Sequence, residues 1–305
     1  MPGIAKETLE RVQRAAAELE YVASEAGRSL STRQTRTIGI VAAELTNPFY
    51  PELIEPMRAE LQRSGYRALL IPDSSDSPLE FERLADGSLD GVVITTASIG
   101  SHLPEFLSAR RIPFVLVNRE IGSQVADTCV VDNRSGALEA ARLLSELGHR
   151  RIGAIFGPTQ TSTGRERELG LREGLHGFQI QLPSTLVRHG PFSYETGFTA
   201  TQSLLASKTR PTAIFCGNDV IALGACNAAA ANGFVLGQDI TIVGFDDIAM
   251  ASWHMFQITT LRCDRREMAI RAVEMLMRRI AEPGRPFERV LLKPTLVLRA
   301  THCRV

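Results

Sequence analysis

An α/β protein built as two doubly wound parallel-sheet subdomains is what this sequence predicts, and three observations predict it. From residue 37 onward, short apolar runs alternate with helical patterns, the order of elements that a parallel sheet covered by helices requires. The strand-like runs are continuously apolar, as strands buried on both faces must be. The length of 305 residues exceeds what one core usually fills and suits two lobes. The clearest unit is FCGNDVIALGACNAAAANGFVLGQDITIVGFDD, residues 215–247. Two apolar runs, 212–216 and 240–245, stop at Asn218-Asp219 and at Asp246-Asp247. An Ala-rich helical pattern between them is closed by Asn232-Gly233. Ligands of open parallel sheets sit just outside the carboxyl ends of the strands, and these polar side chains stand there.

Taken in order, residues 4–20 predict an amphipathic helix: Leu9, Val12, Ala16 and Leu19 recur at spacings of three and four. Residues 21–37, YVASEAGRSLSTRQTRT, set Arg28, Arg33 and Arg36 among small residues with Leu30 as the large apolar one. Such a piece makes a poor core segment. It reads either as a solvated tether or as a segment that folds on a phosphate backbone. A buried strand then spans 38–42, followed by Asn47-Pro48-Phe49-Tyr50 and a helix over 51–63 with Leu53, Met57 and Leu61 on one stripe. Strand 67–71, a helical pattern over 79–84, strand 92–95, helix 103–110, strand 113–117 ending at Asn118-Arg119, and strand 129–131 ending at Asp132-Asn133 complete the first lobe. The second lobe opens with helix 136–147, stopped by Gly148. It continues through strand 152–156, helix 165–178, strand 185–188 and helix 194–206 to the unit described above. After Asp247 come an irregular stretch with Trp253, an extended 259–261, a helix over 265–280 ended by Pro283-Gly284, and short strands at 290–292 and 296–298.

Composition narrows the function. Hydrophobic residues at 44% and charged residues at 22% mark a folded soluble class, and the net charge of zero argues against a protein that coats nucleic acid over its whole surface. Cysteines 129, 216, 226, 263 and 303 are scattered, with no CxxC pair, as expected of reduced thiols in the cytoplasm. No apolar run is long enough to span a bilayer, and no signal-peptide core opens the chain. There is no GxGxxG, GxxxxGK[ST], HExxH or GxSxG, and the six histidines show no metal spacing, so neither an enzyme nor a cofactor or metal is expected. His149, in Gly148-His149-Arg150-Arg151, is expected as a helix C-terminal cap rather than a ligand. Asp246 and Asp247, adjacent on a strand, point to opposite faces and form no acid/base dyad.

The polar set suits ligand holding. Asn118, Asp132, Arg167, Asn218 and Asp246 are the donors and acceptors that vicinal hydroxyls need, and Phe49 and Phe192 can supply flat faces for a sugar ring. Asp219 and Asp247 are expected only as helix N-caps. Replacing Asp246 or Arg167 by Ala is expected to abolish binding and leave the fold intact.

At this point the chain resembles the LacI/GalR family of bacterial repressors. The motifs are ETLERVQRAAAELEYV, RTIGIV with TNPFY, VVDNRSGALEAARLLSELGHRRIG, GNDVIALGA, VGFDDI, ITTLRCD and PTLVLRATH, and the likeness covers nearly the whole chain. The resemblance implies a homodimer, or a pair of dimers making a tetramer. Each chain would hold a helix-turn-helix, a hinge helix and a two-lobed effector domain like type I periplasmic sugar-binding proteins, bound to operator DNA in the full-length form. It implies that residues 1–36 are a remnant of the DNA-binding module plus the hinge helix, and residues 37–305 the effector domain. In that domain the N-subdomain would take about 37–133 and 262–292, and the C-subdomain about 134–261 and 293–305, with crossings near Asn133, Leu261 and Leu292. It puts Phe49, Tyr50, Asn118, Asp132, Arg167, Phe192, Asn218 and Asp246 on effector-contact positions for a sugar or sugar-like molecule. It puts Ser24, Gly27, Arg28 and Leu30 in the DNA-binding hinge, Leu30 as the minor-groove wedge.

The departures shape the expectations. The family carries further residues ahead of position 4, including the recognition helix, so the polypeptide as it stands is expected to bind no operator specifically. A cytoplasmic sugar-binding protein is the alternative. Gly27 stands where Ala is typical, which costs a helix about 0.5–1 kcal/mol, and Asn118 stands where many members have Asp.

Overall fold

The computed structural model describes residues 6–19, 34–43, 45–73, 81, 82, 84–122 and 125–305. The hinge candidates Ser24, Gly27, Arg28 and Leu30 lie outside the described residues, as does part of the helical pattern at 79–84. Helix α1 (Lys6–Glu18) forms on the expected periodicity, and two members of its apolar stripe, Val12 and Leu19, are exposed.

The first sheet is assembled from β1 (Thr37–Ala42), β2 (Arg67–Pro72), β3 (Gly91–Ile94), β4 (Phe114–Val117) and β5 (Asp127–Val131). A sixth strand, β11 (Arg289–Leu292), arrives from the far end of the chain. The order is β11-β5-β4-β3-β1-β2 and every ladder is parallel. Helices α2 (Phe49–Arg63) and α3 (Leu103–Ala109) connect its strands. The second sheet holds β6 (Ile152–Phe156), β7 (Val187–His189), β8 (Ala213–Cys216) and β9 (Thr241–Val243) in the order β7-β6-β8-β9, again all parallel. Its helices are α4 (Asn133–Glu146), α5 (Ser162–Gly177), α6 (Tyr194–Leu205) and α7 (Asp219–Ala231). A two-stranded antiparallel ribbon, β10 (Thr260–Arg262) with β12 (Thr295–Val297), lies beside it, and helix α8 (Arg265–Ala281) between them in sequence packs on α2 and β4.

Strands β1, β3, β4, β5, β6, β8 and β9 are buried along their whole length, which is why their sequences are unbroken apolar runs. The strand RALLIP has the same look and a different fate. As β2 it forms the sheet edge, with Leu69 and Leu70 48% and 44% exposed. Apolarity alone does not separate an edge strand from a central one.

His149 caps α4 as expected, through its backbone and not through its ring. Its backbone N–H donates to the Leu144 carbonyl around Gly148 at φ +92°, so backbone closes α4. Its ring is buried instead, with Nδ1 2.9 Å from Thr212 Oγ1 and Nε2 3.0 Å from Thr241 Oγ1, and burial holds its pKa below the ordinary imidazole value. A buried ion pair, Arg279 to Asp127 at 2.9 Å, fastens α8 to β5, and the same carboxylate accepts the Glu288 N–H beside β11.

Candidate functional site

Parallel strands leave their carboxyl ends at one edge of a sheet, and here the two sheets turn those edges toward each other. The segments that follow β1, β4, β6, β7, β8 and β9 each send side chains into one cleft. From the first lobe come Asn47, Phe49 and Tyr50 at the start of α2, and Asn118 and Arg119 after β4. From the second come Thr163 and Arg167 on α5, Phe192 ahead of α6, Asn218 before α7, and Asp246 after β9.

Local folding places each of them. Phe49 and Tyr50 stand edge to face at 5.5 Å, held there because Asn47 Oδ1 accepts the Phe49 N–H at 3.1 Å as α2 begins. The Phe192 ring lies against Gly157, where any Cβ would come within 2.1 Å of it. Asn218 Oδ1 accepts the Ile221 N–H at 2.9 Å and so caps α7, which leaves its amide group for the cleft. Asn118 is left-handed at φ +67°, and across it the Arg119 N–H donates to the Val117 carbonyl at 2.7 Å. This tight three-residue turn is a strained conformation that Asn tolerates better than most residues. It breaks strand alternation, so two neighbouring side chains both reach the cleft.

At the centre is a buried network. Arg167 donates from Nε to Asn133 Oδ1 at 2.8 Å, from Nη1 to the Gly217 carbonyl at 2.6 Å, and from Nη2 to Asp246 Oδ1 at 2.8 Å. Its guanidinium stacks on Phe245 at 3.8 Å. Burial pushes the Asp246 carboxyl above the usual range, against the opposing pull of Arg167 and Arg265. Behind it, Asp219 accepts from the Ile248 N–H at 2.9 Å and the Thr260 hydroxyl at 2.6 Å. Burial, with the charge of Asp246, pushes its pKa up to about 8. Arg265 ties the lobes together: it pairs with Glu52 of α2 at 2.9 Å and donates to the carbonyls of Asp246 and Asp247.

Of the residues expected from sequence, Phe49, Tyr50, Asn118, Arg167, Phe192, Asn218 and Asp246 line the cleft. Asp132 does not. Its Oδ1 accepts the Ser135 N–H at 3.0 Å and caps α4, because a carboxylate one residue before a helix finds unpaired backbone donors first. The N-cap reading of Asp219 and Asp247 is corrected too: Asn218 caps α7, Asp219 holds the Ile248 loop, and Asp247 binds Arg262 and Arg299, each at 2.6 Å. Sequence reasoning missed Asn47, Arg119 and Thr163. Thr163 had a signal, one helical turn ahead of Arg167 on α5. Arg119 had none, since alternation along β4 points it away from Asn118.

Among the described residues no cluster of His, Cys, Asp and Glu could hold a metal ion, and no helix is long and apolar enough to cross a membrane.

Comparison with known proteins places this geometry. Residues 141–302 match the model of the periplasmic binding protein-like domain. The chain is 30% identical to the ribose operon repressor of Haemophilus influenzae, covering 97% of this chain and 90% of that protein. It is 33% identical to the HTH-type transcriptional repressor PurR of Pectobacterium carotovorum, covering 97% and 88%. Among solved structures, a regulatory protein of the LacI family from Chloroflexus aggregans superposes with a TM-score of 0.79 at 26% identity, covering 88% of this chain and 99% of the other.

Proposed function

The chain belongs to the LacI/GalR family of transcriptional regulators, and from that premise we propose that it is a repressor whose operator affinity is set by a sugar-like effector held in the cleft. The observation that carries the reading is the convergence of Asn118, Arg167, Asn218 and Asp246 between the Phe49–Tyr50 pair and Phe192. Planar rings that flank hydrogen-bonding groups fit a polyol ring, whose faces are apolar and whose rim is polar. Binding between the lobes favours the closed arrangement, and Arg265, which spans Glu52 and the Asp246–Asp247 backbone, carries that preference across the cleft. The operator side of the switch is assigned to the hinge residues Ser24, Gly27, Arg28 and Leu30, working in the cytoplasm.

Thermal shift against neutral sugars, acidic sugars and nucleosides tests the cleft. A hit is expected in the wild-type chain and not in the Asn218→Ala variant, which loses a helix cap worth about 1 kcal/mol and still folds. A panel without hits, or a hit that Asn218→Ala and Phe192→Ala both leave unchanged, would remove the reading.

The assembly is a homodimer in this reading. Edge strand β2 has a strand neighbour on one side only and exposes Leu69 and Leu70, one on each face of the sheet, so a second copy packed along that edge would cover both. The double substitution Leu69→Glu, Leu70→Glu is expected to convert dimer to monomer by light scattering after gel filtration, with secondary structure unchanged. A variant that remains dimeric moves the interface elsewhere.

A further inference from the structure

Charge accounting in the cleft leaves one group over. Its charged lining residues are Arg119, Arg167 and Asp246. Arg167 and Asp246 are paired at 2.8 Å, so they neutralise each other. Arg119 is 94% buried by its 6% exposure and, among the described residues, lies within ion-pair distance of no carboxylate. Among the described residues its guanidinium makes a single hydrogen bond, Nη1 to the Thr96 carbonyl at 3.5 Å, the outer limit for one. Among the described residues its Nε is buried with no hydrogen-bond partner. The neighbour that shares its turn, Asn118, brings no charge. The Tyr50 and Phe192 rings flank the guanidinium at 5.9 Å each, which lowers the local dielectric without neutralising it.

A buried cation without a counter-ion is costly, and a chain keeps one where a ligand completes it. Among the described residues Nε and Nη2 of Arg119 carry no hydrogen bond, and that unpaired edge is the fork that takes two oxygens of a planar or tetrahedral anion. Helices α2, α5 and α7 also begin at this cleft and turn their positive ends toward it.

We propose that the effector is an acidic sugar, a polyol bearing a carboxylate or a phosphate, and that Arg119 receives the acidic group. The inference rests on the reading of the cleft as a sugar-type effector site. The polyol rim is held by Arg167, Asn218 and Asp246, and the anion by Arg119 between two rings. The effector supplies the missing negative charge, so the lobes close on a neutral assembly. Neutral sugars of the same shape leave the Arg119 fork empty.

Isothermal titration of the full chain with matched pairs tests it: D-glucose against D-glucuronate, D-galactose against D-galacturonate, and D-ribose against D-ribose 5-phosphate. One acid is expected to bind about tenfold to a hundredfold more tightly than its neutral parent, the worth of a hydrogen-bonded charge pair. That advantage should shrink with added salt. The uronates and the phosphate separate the two sources of anion. Arg119→Gln is expected to erase the acid's advantage while raising the melting temperature of the unliganded chain, because it removes an uncompensated buried charge. Asn118→Asp, which installs a carboxylate beside Arg119, is expected to lower acid affinity in the same direction. A neutral parent that binds as tightly as its acid, or an Arg119→Gln variant that keeps the acid's advantage, overturns the anion assignment and leaves the sugar cleft standing. Binding by no member of the panel, neutral or acidic, overturns both.

Discussion

Asp246→Ala will cost about 3–5 kcal/mol of folding stability, the usual penalty for stranding one partner of a buried ion pair, and will abolish effector binding at the same time. The sequence alone led us to expect binding loss with an intact fold. The structure changes that expectation because Arg167 is 3% exposed at its side chain and spends its Nη2 on Asp246. Without that carboxylate, the guanidinium keeps Asn133, the Gly217 carbonyl and the Phe245 face, yet its charge has no counter-ion in the same pair. Asp246 also sits at φ +112°, a backbone state that its hydrogen bonds to Leu261 and Cys263 hold in place. Urea unfolding of wild type, Asp246→Ala and the double variant Arg167→Met, Asp246→Asn, in which Asn tolerates the positive φ, separates the two roles. The double variant removes both charges and should recover most of the stability while still failing to bind. A single variant within about 1 kcal/mol of wild type would show that the pair is solvated and that the buried-charge argument is wrong.

The same contrast explains what the sequence could and could not reveal. The βα alternation was legible because each buried strand had to be apolar throughout, and Ile152–Phe156 or Ala213–Cys216 could hardly be read otherwise. The site was legible wherever a polar residue ended such a run, as at Asn118, Asn218 and Asp246. It blurred where two backbone needs competed for one side chain. Asp132 looked like a ligand group and serves as a cap, while Asp219 looked like a cap and anchors the loop at Ile248. Arg119 was hidden for a geometric reason: only a left-handed Asn118 turns it into the cleft, and no local pattern announces a positive φ. The burial of the His149 ring was not legible because its partners, Thr212 and Thr241, are distant in sequence and meet it only once β8 and β9 have paired.

Asp219 gives the second large effect, and its sign is opposite to that of an ordinary surface carboxylate. Its folded pKa is raised from 3.8 to about 8 by burial and by the nearby Asp246, so the native state keeps a proton that the unfolded chain releases. Stability from this group is therefore full below the unfolded value and is lost as pH rises toward the folded one, at about 1.4 kcal/mol per pH unit for one proton. Below pH 6 the carboxylates lowered by arginine partners, such as Glu139, and the buried neutral His149 pull the other way. The clean window is thus pH 6.5 to 8, where the wild type should lose about 2 kcal/mol. Asp219→Asn should flatten most of that slope. The amide oxygen still accepts the Ile248 N–H, and its nitrogen donates to the Thr260 hydroxyl in place of the bond that Asp219 now accepts. The variant should overtake wild type in denaturant midpoint at pH 8.5, because it no longer has to bury a charge beside Asp246. Parallel stability curves for the two proteins across this window would mean that Asp219 is ionised throughout, with its hydrogen bonds outweighing its burial.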